Sequence, residues 1–222
     1  MLEIETFPVG SLSCNCSILY SPFTKECLVI DPGNDAKLVL NRIRKKGLKV
    51  KGLLHTHAHF DHIGQSQKIK DELSAPILLH KGDLFLYEML EQQGLWFGET
   101  IEKPGPVDQW IEDEQLLAMK VASSETEDPR LQEVVKILHT PGHTPGSCSF
   151  YCEHLANPVI FSGDTLFAGS IGRTDLPGGD SEQIVKSIKN RLLPLPEESL
   201  CIPGHGPSTV LHQEKRQNPF LK

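Results

Sequence analysis

The chain has 222 residues, a formal net charge of −7, and 38% hydrophobic against 23% charged residues. This is ordinary globular composition, which excludes a disordered or fibrous chain, and the length suits one large domain spanning 1–222. The acidic balance argues against nucleic-acid or anionic-membrane binding, since both need a basic face.

The first thirty residues read as short strands ending in Cys27-Leu-Val-Ile30, and Asp31-Pro-Gly33 then turns the chain. Ala36, Val39, Leu40 and Ile43 follow at helical spacing, with Asn34 or Asp35 as N-cap and Gly47 at the C-terminal stop. Lys51-Gly-Leu-Leu54 is a buried strand that leads into a histidine cluster. Beyond it the pattern predicts a helix over 63–73, a strand at Ile77–Leu79 and a helix over 82–92. Residues 94–115, with several Gly and Pro and the aromatics Trp96, Phe97 and Trp110, read as a long surface excursion. It is expected to pack on its own domain, with a lid or an interface as the alternatives. Residues 123–130 are expected to form a polar hairpin tip. Strands are expected at Val134–Leu138, Ser147–Cys152, Val159–Phe161 and Leu200–Ile202, and a helix capped by Ser181 turns Ile184, Val185, Ile188 and Leu192 inward. Strands early and mixed elements later point to an α/β arrangement of two sheets flanked by helices.

The opening MLEIETFPVG carries two Glu and no apolar signal segment, and no apolar run approaches the roughly 18 residues of a membrane span. Six cysteines, Cys14, Cys16, Cys27, Cys148, Cys152 and Cys201, are therefore expected as reduced thiols in the cytoplasm. Cys148 and Cys152, with Phe150 between them, are expected to face the core, and no cysteine is given a catalytic role.

The chemistry concentrates in His55-Thr-His57-Ala-His59-Phe-Asp61-His62. Alternate residues of an extended segment face the same way, so His57 and His59 can reach one ion, while Asp61 and His62 can turn toward a second. Imidazole and carboxylate suit Zn, Fe or Mn. His143 sits between two Pro-Gly turns, Asp164 follows the strand Val159–Phe161, and His205 follows Leu200–Ile202. Each lies where a strand gives way to a loop, the usual setting for functional residues on a rigid scaffold. Of the other histidines, His55 and His139 adjoin these loops and are expected to be packed or solvated side chains rather than groups orienting the ligands. His80, His154 and His212 carry no assignment.

The segment THAHFDH resembles the H-x-H-x-D-H signature of metallo-β-lactamase-fold hydrolases. More narrowly, TPGHTPGS at 140–147, GDTLF at 163–167, IGRTDLPGGD at 171–180 and PGHG at 203–206 are similar to the glyoxalase II (hydroxyacylglutathione hydrolase) group. The resemblance implies a four-layer αββα sandwich and two divalent metal ions, with Zn favoured over Fe or Mn. It places His57, His59 and His143 on the first metal, Asp61, His62 and His205 on the second, and Asp164 between them. Asp164 stands where true class B β-lactamases carry cysteine, and His59 where flavodiiron proteins carry Glu, which speaks against both.

The chemistry implied is attack of metal-bound hydroxide on an acyl carbon, with Asp61 orienting the hydroxide. A small thioester, such as a hydroxyacyl-glutathione, suits this inventory because its thiolate leaves with little protonation. No nucleic-acid or membrane partner is expected, and the oligomeric state is left open. The family's longer members carry a C-terminal helical segment that builds much of the glutathione site, whereas 17 residues follow His205 here. Arg173, Lys215 and Arg216 are the remaining cations for an anionic substrate; the alternatives are a brace to Asp175 or Asp180 for Arg173, and a solvated face for the other two. A persulfide dioxygenase using one iron on His57, His143 and Asp164 resembles the same pattern and is the main rival. A lactonase and a non-catalytic metal-binding protein rank below it.

Overall fold

The computed structural model describes residues 2–121, 133–153 and 155–222. The segment expected as a polar hairpin tip, and His154, lie outside the described residues. Among the described residues, two six-stranded sheets stack face to face, each covered by helices on its outer side.

The first sheet runs in chain order, with β1 (Glu3–Val9), β2 (Cys14–Tyr20) and β3 (Glu26–Ile30) antiparallel. β4 (Lys49–Leu54), β5 (Ile77–His80) and β6 (Gln109–Ile111) then add in parallel. The parallel additions require crossovers, and helices supply them: α1 (Ala36–Lys46), the pair α2 (Phe60–Ile63) and α3 (Ser66–Leu73), then α4 (Leu84–Glu88) and α5 (Leu90–Trp96). The second sheet has the order β14-β13-β10-β9-β8-β7. Its members are β7 (Leu116–Ala118), β8 (Glu133–His139), β9 (Cys148–Cys152), β10 (Val159–Gly163), β13 (Leu200–Pro203) and β14 (Thr209–Val210). β11 (Leu166–Phe167) and β12 (Ser170–Ile171) form a separate hairpin, while α6 (Ser181–Ser187) and α7 (Leu211–Gln217) cover the outer face.

Strand alternation sets the layers. Ile18, Cys27 and Val29 face the first helical layer with Val39, Ile43, Phe60 and Leu90. Their neighbours Leu19, Leu28 and Ile30 face Phe150 and Phe161 of the opposite sheet. Ile160 and Tyr151 turn outward again, onto Ile184, Ile188 and Leu211. The αββα sandwich implied by the sequence is the fold observed. Cys148 and Cys152 lie in the inter-sheet core beside Phe150, as their spacing predicted.

Local signals act as read for α1. Asp35 accepts a hydrogen bond from the Leu38 N–H at 3.1 Å, and Gly47 closes the helix at φ 63°. Other boundaries differ. The helix expected over 63–73 is two helices parted at Gly64-Gln65, and α5 runs on to Trp96. Asp180 rather than Ser181 caps α6, its carboxylate accepting from the N–H groups of Glu182 and Gln183. Trp110 belongs to β6, so the excursion is shorter than 94–115, and Phe97 packs its ring on Phe60 with centroids 5.0 Å apart.

Candidate metal centre

β3, β4, β10 and β13 all end at one rim of the sandwich, and the seven singled-out side chains meet there. The loop after β4 carries His57 and His59, and α2 carries Asp61 and His62. The turn between β8 and β9 brings His143, while Asp164 and His205 follow β10 and β13. A backbone bond from the Cys148 N–H to the Thr56 carbonyl, 2.7 Å, ties the two sheets together at this point.

Three imidazoles form the first group. His57 Nε2 and His143 Nε2 each lie 3.0 Å from His59 Nδ1. The three ring pairs share a centroid separation of 4.7 Å and stand 83–87° to one another, so the rings surround a common point. Nitrogen donors at about 2.0–2.1 Å from one tetrahedral zinc are about 3.3 Å apart, which matches this spacing. In the second group His205 Nε2 is 3.0 Å from Asp61 Oδ2 and 3.3 Å from His62 Nε2. Asp164 faces both groups: Oδ1 is 3.5 Å from His62 Nε2, and Oδ2 is 3.7 Å from His143 Nε2 and 3.8 Å from His205 Nε2.

The donor set suits cations. Burial, reinforced by the neighbouring imidazoles, holds His57 well below the usual histidine range and His59 at about 3, so both keep a free lone pair. Burial would raise Asp61, but the charges of His62 and His205 more than offset it and keep the carboxylate ionised. Asp164 Oδ1 is buried with no hydrogen-bond partner, a costly arrangement for an acceptor unless something else binds it. Space is also reserved: a Cβ on Gly204 would fall 2.1 Å from Asp164 Oδ1 and 2.6 Å from His62 Cε1. The cluster is thus suited to binding metal ions.

Supporting hydrogen bonds fix which imidazole nitrogen points inward. His143 Nδ1 donates to the Arg173 carbonyl at 2.8 Å, and His205 Nδ1 to the Leu12 carbonyl at 3.0 Å. His62 Nδ1 donates to Asp31 Oδ2 at 3.0 Å. Asp31 also accepts the Thr56 N–H at 2.8 Å and the Thr56 hydroxyl at 2.7 Å, and that hydroxyl in turn accepts from His57 Nδ1 at 3.0 Å. One buried carboxylate therefore orients a histidine in each group. Sequence reading missed this role, because Asp31-Pro-Gly33 also reads as a turn. The available signal was an acid at the end of a buried strand, like Asp164.

The remaining candidates are placed as follows. His55 is fully buried, donating to the Leu78 carbonyl and bonding Ser66 Oγ, and is a packed side chain. His139 stacks on His80 and bonds the Pro145 carbonyl. Arg173 makes the anticipated brace, a bidentate pair with Asp175 at 2.7 and 2.8 Å, and its side chain stays 57% exposed. Lys215 pairs with Glu197, which precedes β13 at the end remote from His205, and Arg216 follows it on α7.

A model of the metallo-beta-lactamase superfamily matches residues 9–205. The chain belongs to that superfamily. The hydroxyacylglutathione hydrolase GloC of Haemophilus influenzae is 39% identical to it over 222 residues, covering 99% of this chain and 98% of the relative. Among solved structures, BLEG-1 B3 metallo-beta-lactamase is 37% identical with a TM-score of 0.86, each chain 99% covered. TTHA1623 in a di-iron-bound form is 38% identical with a TM-score of 0.82, over 96% of this chain and 98% of that one. These relatives place the chain in a metallo-hydrolase family.

Proposed function

We propose that the chain is a metal-dependent thioester hydrolase of glyoxalase II type, acting on a hydroxyacyl-glutathione or a similar small thioester. The observation that carries this reading is the gathering of seven histidine and aspartate side chains into two groups with Asp164 facing both, in a chain 39% identical to a hydroxyacylglutathione hydrolase over its length. His57, His59 and His143 would hold one divalent cation, Asp61, His62 and His205 the other, and Asp164 both. Zinc is the proposed metal, with iron next because TTHA1623 takes two irons. Such ions supply a nucleophile at neutral pH and polarise the substrate carbonyl.

The chain's own groups do the rest. Asp61, kept ionised by its neighbours, accepts a hydrogen bond from the attacking water and aims its lone pair. A thiolate leaves with a conjugate acid near pKa 8.5 by ordinary reference values, so no residue need protonate it. Arg173 is the cation whose field reaches His59, and it meets an anionic substrate at the rim. Lys215 is paired with Glu197, and this scheme gives neither it nor Arg216 a part. The six cysteines are buried and none is in a disulfide, which supports a reducing, cytoplasmic setting. No helix among the described residues is long and apolar enough to cross a membrane.

S-lactoylglutathione given to the zinc-loaded protein should release free thiol, and His59→Ala should abolish the release. No release from a range of acyl thioesters refutes the proposal. Oxygen uptake with glutathione persulfide and about one iron per chain would instead identify a dioxygenase. The similarity to BLEG-1 favours β-lactam hydrolysis as a second reading, tested with a chromogenic cephalosporin on the same preparation.

A further inference from the structure

The three histidines of the first group come from different sheets: His57 and His59 follow β4, and His143 sits on the turn joining β8 to β9. Ligands of one ion must hold their relative positions to about 0.5 Å, so these two loops need a tie. Asp83 lies at the junction, in the short 3-10 turn Lys81–Asp83 after β5. It is fully buried.

Its Oδ2 accepts the N–H of Ala58, the residue between His57 and His59, at 3.0 Å. The same oxygen accepts the Thr144 hydroxyl at 2.8 Å, and Oδ1 accepts the Gly146 N–H at 2.6 Å. Thr144 and Gly146 follow closely on His143 in the chain. The approach is close enough to need glycine: a Cβ on Gly146 would lie 2.6 Å from Asp83 Cγ, and one on Gly82 would lie 2.9 Å from the Pro145 carbonyl oxygen. This explains the second glycine of the TPGHTPG motif, which the metal reading alone leaves unused. Burial raises the Asp83 pKa, while its three donors and His143 oppose the rise. No such bond reaches the residues of the second group among the hydrogen bonds of the described residues.

We infer that Asp83 is a positioning residue for the first cation, its carboxylate clamping the His57–His59 loop against the His143 turn. The inference rests on the metal-centre reading above. Asparagine at this position keeps the shape but offers an NH₂ where the carboxylate accepts, so either the Ala58 N–H or the Gly146 N–H faces a donor and the clamp weakens.

The test separates the sites. An Asp61→Ala/His205→Ala background keeps only the first group complete, and a His59→Ala/His143→Ala background leaves only the second. Zinc affinity is measured in each by competition with a chelating dye, with and without Asp83→Asn. The expected result is about a 10–100-fold loss in the first background and less than about a two-fold change in the second. Thr144→Val, which removes one of the three bonds, should weaken the first background in the same direction by a smaller factor, and it serves if Asp83→Asn does not fold. Equal losses in both backgrounds, or none in either, overturn the clamp while leaving the metal centre standing. Zinc binding absent from both parent backgrounds overturns the metal-centre reading, and the clamp with it.

Discussion

Replacing Asp31 with asparagine should disable the second cation group by shifting a proton on His62, the histidine it orients. Asp31 sits at φ 48°, a left-handed conformation that asparagine also tolerates, so the backbone cost of the change is small. The Thr56 N–H at Oδ1 keeps its acceptor if the new carbonyl faces it. The new NH₂ then lies where Oδ2 now receives both the Thr56 hydroxyl and His62 Nδ1. The hydroxyl can rotate. His62 is fully buried, with the weak acceptor Cys14 Sγ 3.5 Å from Nδ1 as its other partner, and relieves the donor clash best by moving its proton to Nε2, the nitrogen that faces Asp164 and His205. A donor then occupies the lone pair a cation needs. Loss of charge-assisted bonds in a buried site costs about 2 kcal/mol, or about 4–8 °C in Tm for a chain of this size. Zinc affinity of the second group should fall about 10–100-fold. Zinc titration and ¹⁵N imidazole spectra, which report the tautomer, provide the assay. An Asp31→Asn protein that binds two zinc ions with parental affinity and leaves His62 Nε2 unprotonated refutes the reasoning.

Gly204→Ala should reduce metal content without unfolding the chain, because the added Cβ meets Asp164 Oδ1 and His62 Cε1 before anything else; metal analysis of the purified variant checks it. Arg173→Ala should raise KM for an anionic glutathione thioester about 3–10-fold with kcat little changed, an effect that shrinks as salt rises, since the exposed guanidinium acts through a screened field. Burial pushes His55 down to about 4, so the folded state resists a proton that the unfolded chain accepts near 6.5. Its contribution is complete above pH 6.5 and is lost as pH falls toward 4, by at most about 3 kcal/mol. His55→Gln should therefore flatten the decline of urea-measured stability between pH 6.5 and 4 by about 1.4 kcal/mol per pH unit at most.

The candidate site was legible where chemistry is contiguous or punctuated. His57, His59, Asp61 and His62 stand within six residues, and His143 and His205 sit in Pro-Gly turns that are hard to explain otherwise. Asp31 and Asp83 were not legible as orienting groups, because they act on backbone N–H groups and on another side chain's far nitrogen. The first relation exists only once β3 lies beside β4, and the second only once the two sheets have met. The layers followed from strand alternation, since Ile18 and Leu19 must face opposite cores. What failed were elements too short to show a period. β6, β7, β11, β12 and β14 have two or three residues each and exist by pairing with a neighbour. The aromatic Trp110 reads as loop from its Gly- and Pro-rich surroundings, but β5 recruits it into an edge strand. α7 shows little apolar stripe because its buried face is Leu211 and a hydrogen-bonded Glu214.

The two sheets divide the chain almost at its midpoint: the first uses residues up to Ile111, and the second begins at Leu116. The amino-terminal half owns His57, His59, Asp61 and His62, and the other half owns His143, Asp164 and His205. Neither fragment can assemble a complete ligand group alone, so bound ions would act as rivets between halves that otherwise meet through an apolar seam. Any breathing motion that parts the sheets at the rim scatters the donors first. Loss of metal would then be the earliest sign of opening, and free zinc would hold the halves shut increasingly as its concentration rises above the dissociation constant.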